Sequence, residues 1–328
     1  MNLHINTKLF DEAVRATAQQ MEILDIYIEK DYWVTKALHA IFSSEIATQV
    51  VFKGGTALSK CYRMIERFSE DIDLVTLRSE GETGGQLKKK LKNISNVVSD
   101  IMPEIDVPGI TNKRGMIRKT AHEYPKVFKG KYGHVRDKVI LESSWLGHYE
   151  PYHQQEISSY IFDMMQKSGQ HDLIHEYAMI PFSIQVLDKR RTFCEKILSL
   201  VRFSYMEDPL QNLRMKIRHL YDLHRLLEDK EIKEFVESDD FFEMLKRVGN
   251  DDFEGYRNSN DWLIHHPREA IIFAKPKEIW NELAKAYEND FKPLVFGKFP
   301  AGSKVLDSLI NLSKRIEYIS WTINTDKK

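Results

Sequence analysis

The chain is short of the residues that make turns. Its 15 glycines and 10 prolines form about 8% of 328 residues, against a usual share of about 12%. That shortage disfavours a turn-rich all-β fold and favours helices. Cysteine is scarcer still. Cys61 and Cys194 stand far apart, with no CxxC pair and no Cys/His cluster. This argues against a disulfide framework and against a zinc site, and a reducing, cytoplasmic setting is expected. No run approaches ~18 uninterrupted apolar residues, so no membrane span is expected. The N-terminal MNLHINTKLFDEAV has no apolar signal-peptide core. Neither sign of charge dominates: 48 Lys and Arg against 49 Asp and Glu give a net charge of −1. Any surface for nucleic acid must therefore be local. The nucleophile elbow GxSxG, the Walker-type P-loop, the dinucleotide fingerprint GxGxxG and the protein-kinase signatures are all missing. Their absence argues against hydrolase, Walker-type, Rossmann and kinase chemistry.

What is present reads as about two domains by length. Asn6 or Thr7 can cap a first helix with Leu9, Phe10, Ala13 and Val14 on its apolar face, and a second carries Tyr32, Trp33, Ala37, Leu38 and Ile41. Gln49 to Phe52 reads as a strand entering the Gly54-Gly55 turn, Thr56 to Arg67 as a helix, and Asp71 to Thr76 as a strand. A helix follows over 86–102. From Asp106 to about Ser144 strands and turns alternate, and Phe182 to Leu187 is a further strand. Beyond it the pattern is helical over 189–205, 209–228, 230–248, 276–289 and 303–321. The expected class is α+β, with strands confined to residues 1–188 and helices filling 189–328.

Two short stretches carry chemistry. At Gly54-Gly55 a strand ends and a helix begins. Glycines there let a phosphate approach unpaired backbone N–H groups, with Thr56 or Ser59 adding a hydroxyl; a plain tight turn would look the same. Asp71 and Asp73, at i and i+2 of a strand, share one face. Side-by-side carboxylates repel unless neutralised, and a divalent cation such as Mg²⁺ does so with the oxygen ligands it prefers. The alternative is a solvated strand end. Together, a glycine turn, a helix and a strand with paired aspartates lay out a phosphate cradle facing a metal site, as metal-assisted nucleotidyl transfer requires. Glu142, in the apolar stretch Val139 to Ser144, is a candidate third carboxylate, unless it points to water at a sheet edge; Asp106 is the weaker candidate.

These motifs resemble those of the AbiEii-type nucleotidyltransferase toxins, a branch of the DNA polymerase β superfamily. The resemblance rests on Phe52-Lys-Gly-Gly-Thr-Ala-Leu-Ser59 and Glu66-Arg-Phe-Ser-Glu-Asp-Ile-Asp-Leu74. Glu29-Lys-Asp-Tyr-Trp-Val-Thr35 precedes them, and Thr192-Phe-Cys-Glu-Lys-Ile197 and Arg218-His-Leu-Tyr-Asp-Leu223 follow. It spans roughly residues 29–224. The resemblance implies a polymerase β-like nucleotidyltransferase core with a mixed sheet over 1–188 and a helical domain over 189–328 that completes the active-site cleft. It implies Asp71 and Asp73 as metal-binding catalytic aspartates, with Mg²⁺ or Mn²⁺, and Ser69 near the nucleotide. Lys196 would be the catalytic lysine and Asp222 the late aspartate. On the residues alone, Lys196 could equally snorkel at a helix surface, and Asp222 could pair with Arg218 at i,i+4. The function implied is NTP-dependent transfer of a nucleotide to RNA, expected at the 3′ end of tRNA. The protein would act as the toxin of a toxin–antitoxin or phage-defence pair, with a cognate antitoxin.

One local charge run suits such an acceptor. Between residues 113 and 138 lie Lys113, Arg114, Arg118, Lys119, Lys126, Lys129, Lys131, Arg136 and Lys138, against Glu123 and Asp137 only. Tyr124, Phe128 and Tyr132 are interleaved and offer rings for base stacking. A solvated hairpin would show the same run. The rival readings are an enzyme of this fold that modifies a protein or small molecule, and a catalytically idle nucleotide-binding module.

Overall fold

The computed structural model describes residues 1–130, 135–146, 151–256 and 259–323. The chain forms two compact units. One takes in Met1–Tyr62, Phe68–Trp145 and Tyr152–Leu187; the other takes in Arg63–Arg67, Leu146–Pro151 and Asp188–Lys328.

In the first unit, the Asn6 side chain caps α1 (Thr7–Met21) by accepting the Leu9 N–H at 3.1 Å. Phe10, Ala13, Val14, Thr17 and Ala18 are buried on one face of it, at helical spacing. The next helix, α2 (Asp25–Phe42), is buried without a break from Ile26 to Thr35. It packs on α1 and against the sheet, which explains why its polar residues need internal partners. Four more helices follow: α3 (Gly54–Lys60), α4 (Gly84–Ser99), α5 (Tyr160–Lys167) and α6 (His171–Glu176). Thr83 starts α4 with a capping box: its hydroxyl accepts the Gln86 N–H while the Gln86 side chain accepts the Thr83 N–H.

The strands are β1 (Val50–Lys53), β2 (Ile72–Thr76), β3 (Glu104–Ile105), β4 (Ile117–His122), β5 (Val139–Ser144), β6 (Tyr152–Ile157) and β7 (Phe182–Leu187). They form one mixed sheet in the order β3-β4-β5-β2-β1-β7-β6. β1 runs antiparallel to β2 and parallel to β7, and β2 runs parallel to β5. The interior strands are the apolar ones: Val50, Val51, Phe52, Ile72, Leu74 and Leu141 are all at most 1% exposed. β6 is an edge strand of polar, largely exposed residues, and its weak pattern gave no signal in the sequence.

The second unit is helical: α7 (Lys189–Ser204), α8 (Pro209–Met215), α9 (Ile217–Leu226), α10 (Lys230–Glu237), α11 (Asp239–Gly255), α12 (Ile271–Ala274), α13 (Pro276–Lys285) and α14 (Gly302–Ile316). Asp188 caps α7 through the Arg190 N–H at 2.8 Å, and Phe193, Ile197, Leu200 and Val201 form its buried face. The class is therefore α+β with a mixed sheet, as read from the sequence.

Several helix limits differ from the sequence reading. The helix expected over 56–67 ends at Lys60. Arg63 takes a left-handed φ of 53°, and residues 63–67 leave to pair in the second unit, where Arg67 bridges Val295. The stretch 209–228 is broken at Lys216, and 230–248 at Ser238, whose extended ψ of 167° separates α10 from α11. Both cysteines are free and buried. Among the described residues no helix is long and apolar enough to cross a membrane.

Candidate active site

The centre of the sheet carries a row of charges. Lys53 on β1 stands opposite Asp73 on β2, Asp73 beside Glu142 on β5, and Glu142 opposite Lys119 on β4. Directly paired residues point to one face, so the row reads cation, acid, acid, cation across four strands. The Lys119 ammonium lies 2.9 Å from the Glu142 carboxylate. β5 is an interior strand, so Glu142 is not at a sheet edge. Asp71 sits just before β2, half-buried, and its carboxylate meets the Arg136 guanidinium at 3.5 Å. Burial, then the neighbouring Glu142 and Asp71 charges, push the Asp73 carboxyl up to about 7.

Gly54 completes this corner. Its φ is +82°, and a Cβ at that position would overlap the Asp73 carboxylate. The glycine is needed both for the turn into α3 and for the close approach of backbone to acid. Behind it the Thr56 hydroxyl donates to the Asp71 carbonyl at 2.6 Å and lies 3.0 Å from the Ser69 hydroxyl. Thr56 is 1% exposed, and Ser59, also buried, bonds the Tyr160 hydroxyl at 3.2 Å. Of the hydroxyls proposed from sequence, Thr56 is thus engaged in holding the turn, Ser59 is bonded to Tyr160, and Ser69, half-buried, meets Thr56.

Beside Asp71 lies a buried charge network of residues that sequence reading gave no role. Glu29, Lys30 and Asp31 on α2 are all buried. Lys30 bonds the Glu70 carboxylate and the Arg136 carbonyl, and Glu70 also accepts the Arg136 N–H at 3.0 Å. Lys60 bridges Asp31 at 2.5 Å, and Glu29 accepts the Val127 and Phe128 N–H groups at 2.6 and 3.2 Å. Burial lowers the Lys30 ammonium and raises the Glu70 carboxyl, each partly offset by the other. Three charged residues in succession inside an otherwise apolar helix were the available signal.

Could these residues hold a metal? Among the described residues no three His, Cys, Asp or Glu side chains converge as a ready-made cage. Mg²⁺ does not require one, since it commonly binds through one or two carboxylates plus water and substrate phosphates. Beyond burial, the repulsion among Asp73, Glu142 and Asp71 is what a cation at these carboxylates would relieve, so the donor set fits. Asp106, the weaker candidate, instead accepts the Thr111 hydroxyl.

The second unit contains its own buried charge cluster. Asp222 on α9 accepts two bonds from the Arg67 guanidinium, at 2.6 and 2.7 Å, and one from the Lys196 ammonium at 2.7 Å. All three are at most 5% exposed. Lys196 therefore points inward rather than snorkelling, and the partners of Asp222 are Arg67 and Lys196, not Arg218. Despite burial, these two cations hold the Asp222 carboxyl well below the usual range, while burial lowers the Lys196 ammonium. Glu66, beside Arg67, pairs with Arg225 at 3.2 Å.

The cationic run is largely neutralised. Lys113 and Arg118 meet Glu104 at 2.5 and 3.1 Å, Lys119 meets Glu142, and Lys126 and Lys138 meet Asp137 at 2.9 and 2.8 Å. Arg114 and Lys129 are exposed and form no ion pair among the described residues. Lys131 and Tyr132 lie outside the described residues. Tyr124 and Phe128 are buried, stacked on Trp33 and covered by Arg15, so they are core residues and not the open stacking platform expected from their spacing.

A family model described as the nucleotidyl transferase AbiEii toxin of type IV toxin–antitoxin systems matches residues 36–310. The chain belongs to the AbiEii family. This AbiEii protein is thus a nucleotidyltransferase toxin of the type IV class, and the family implies an NTP substrate and an antitoxin partner. Among solved structures it is similar to MenT4, a nucleotidyltransferase toxin from Mycobacterium tuberculosis H37Rv. The identity is 14% over 96% of this chain and 87% of that one, with a TM-score of 0.44. No curated protein matches.

Proposed function

We propose that this AbiEii toxin transfers a nucleotidyl group from an NTP to the 3′ hydroxyl of an RNA, with tRNA as the acceptor. The attacking oxygen forms a bond to the α-phosphorus, the α–β bridging bond breaks, and pyrophosphate leaves. The observation that carries this reading is the Asp73–Glu142 pair in the sheet, set against the close backbone of Gly54. Asp71 and Asp73 would hold Mg²⁺ or Mn²⁺, with Glu142 beside them, and that ion would supply charge stabilisation at the phosphoryl oxygens. Gly54, Gly55 and Ser69 are proposed to meet the triphosphate, with Thr56 fixing that turn and Ser59 tying α3 to Tyr160. Lys196, which pairs with Asp222, is proposed as a nucleotide-binding residue.

The test is incubation of the protein with total RNA and each α-labelled NTP. Label should enter RNA in a Mg²⁺- or Mn²⁺-dependent way, and Asp73→Asn should abolish it. Because the substitution removes one of two repelling carboxylates, the melting temperature should hold or rise. Label appearing on protein or a small molecule would reassign the acceptor, and full activity in Asp73→Asn would sink the metal assignment.

A further inference from the structure

A cavity of about 560 Å³ opens within the helical unit, formed where the ends of α7 and α11 meet the turn Asp261–Ile264. That size suits a small ligand. Its walls are aromatic. Tyr205 and His265 stack with ring centroids 5.0 Å apart and 12° between planes, and Tyr256 and Trp262 lie 6.4 Å apart. Tyr205 is 37% exposed, so part of this ring surface is left to solvent.

Two charges share the cavity without pairing. The Arg202 guanidinium lies over the Tyr256 ring at 4.5 Å. Arg202 and Asp261 both line the space, and neither forms an ion pair among the described residues. The ligand must then offer a flat π face for the rings, an acceptor for Arg202 and a donor for Asp261. A tryptophan or phenylalanine side chain has no acceptor on its ring. A nucleobase has all three.

We infer that this cavity binds one unstacked nucleobase, carried either by a free nucleotide or by single-stranded RNA. Stacking on the aromatic walls supplies most of the affinity, and Arg202 and Asp261 meet the polar edge of the base. The site is built from Arg202, Tyr205, Tyr256, Asp261, Trp262 and His265 and does not depend on the acceptor proposed above.

Binding is measured by fluorescence anisotropy in the Asp73→Asn background, so that turnover cannot contribute. The probes are an unstructured oligoribonucleotide, the same strand made abasic, and the free nucleoside monophosphates as competitors. Arg202→Met keeps the side-chain stem and removes the charge; Tyr205→Ala removes a ring, and Tyr205→Phe restores it. Each of the first two should weaken base-dependent binding by about five- to a hundred-fold. Tyr205→Phe should bind like the parent, and the abasic strand should be insensitive to all three. Sensitivity confined to the monophosphates identifies a free nucleotide as the ligand, and sensitivity of the oligomer identifies RNA. If neither ligand distinguishes the substituted proteins from the parent, or if the abasic strand responds equally, the inference is overturned. Loss of RNA labelling in the transfer assay would leave this binding result standing.

Discussion

Gly54 and Gly55 are neighbours with different obligations. Gly54 has a positive φ and lies against the Asp73 carboxylate, whereas Gly55 has no positive φ and lies in the first turn of α3. Gly54→Ala must accept a left-handed backbone at about 1–2 kcal/mol and must also displace Asp73. Its melting temperature should fall and transfer should be lost. Gly55→Ala meets no left-handed backbone penalty, so its melting temperature should fall less than that of Gly54→Ala. Its activity then reports on how closely a triphosphate approaches that amide. Thermal denaturation and the labelling assay, run on both variants, separate the two roles.

Two helices hold charges that the core tolerates only in pairs. On α2, Lys30 faces Glu70 in a buried environment. Removing one partner leaves the other charge uncompensated, so Lys30→Met or Glu70→Gln alone should cost about 3–5 kcal/mol. Lys30→Met/Glu70→Gln together should cost less than the sum. Because Glu70 also fixes the Arg136 N–H beside Asp71, transfer should fall in all three. Chemical denaturation gives the cycle, and additive losses would count against the pairing. On α9, the depressed Asp222 carboxyl gives a pH dependence of definite sign. The folded protein keeps Asp222 ionised where the unfolded chain, with a carboxyl near 3.9, takes up a proton. Its stabilisation is therefore complete above that unfolded value and is lost as pH falls below it. The stability gap between the parent and Asp222→Asn should be widest near neutrality and should close in acid. A gap that widened in acid would contradict the ion-pair account.

Taken as one chain, the protein has almost no net charge, and most cations of its basic run are already matched by Glu104, Glu142 and Asp137. If the proposed RNA acceptor binds through this run, that binding falls to the few unmatched ones. The logarithm of affinity for single strands falls with that of salt by about 0.7 for each phosphate neutralised. Arg114→Gln/Lys129→Gln should therefore flatten the salt slope by about 1.4 and leave NTP binding unchanged. An unchanged slope would make the run a wet surface, with the acceptor meeting other cations.

The sequence by itself determined what depends on near neighbours. The Asn6 cap, the apolar face of α1, the strands around Phe52 and Leu74 and the glycine turn follow from spacing along a few residues, and the ordered motifs pointed to the AbiEii family. Tertiary structure alone decided which charges meet. Arg67 and Asp222 are 155 residues apart, Glu29 and Phe128 are 99 apart, and the row from Lys53 to Lys119 depends on the register of four strands. Local periodicity reports whether a position is buried and not what it is buried against, so it showed α3 as longer than it is and the cationic run as free. It also made Tyr124 and Phe128 look available to bases, although packing against Trp33 and Arg15 had already taken their faces. Burial makes an unpaired charge expensive, and the partner that removes the cost is chosen by the fold, not by sequence proximity.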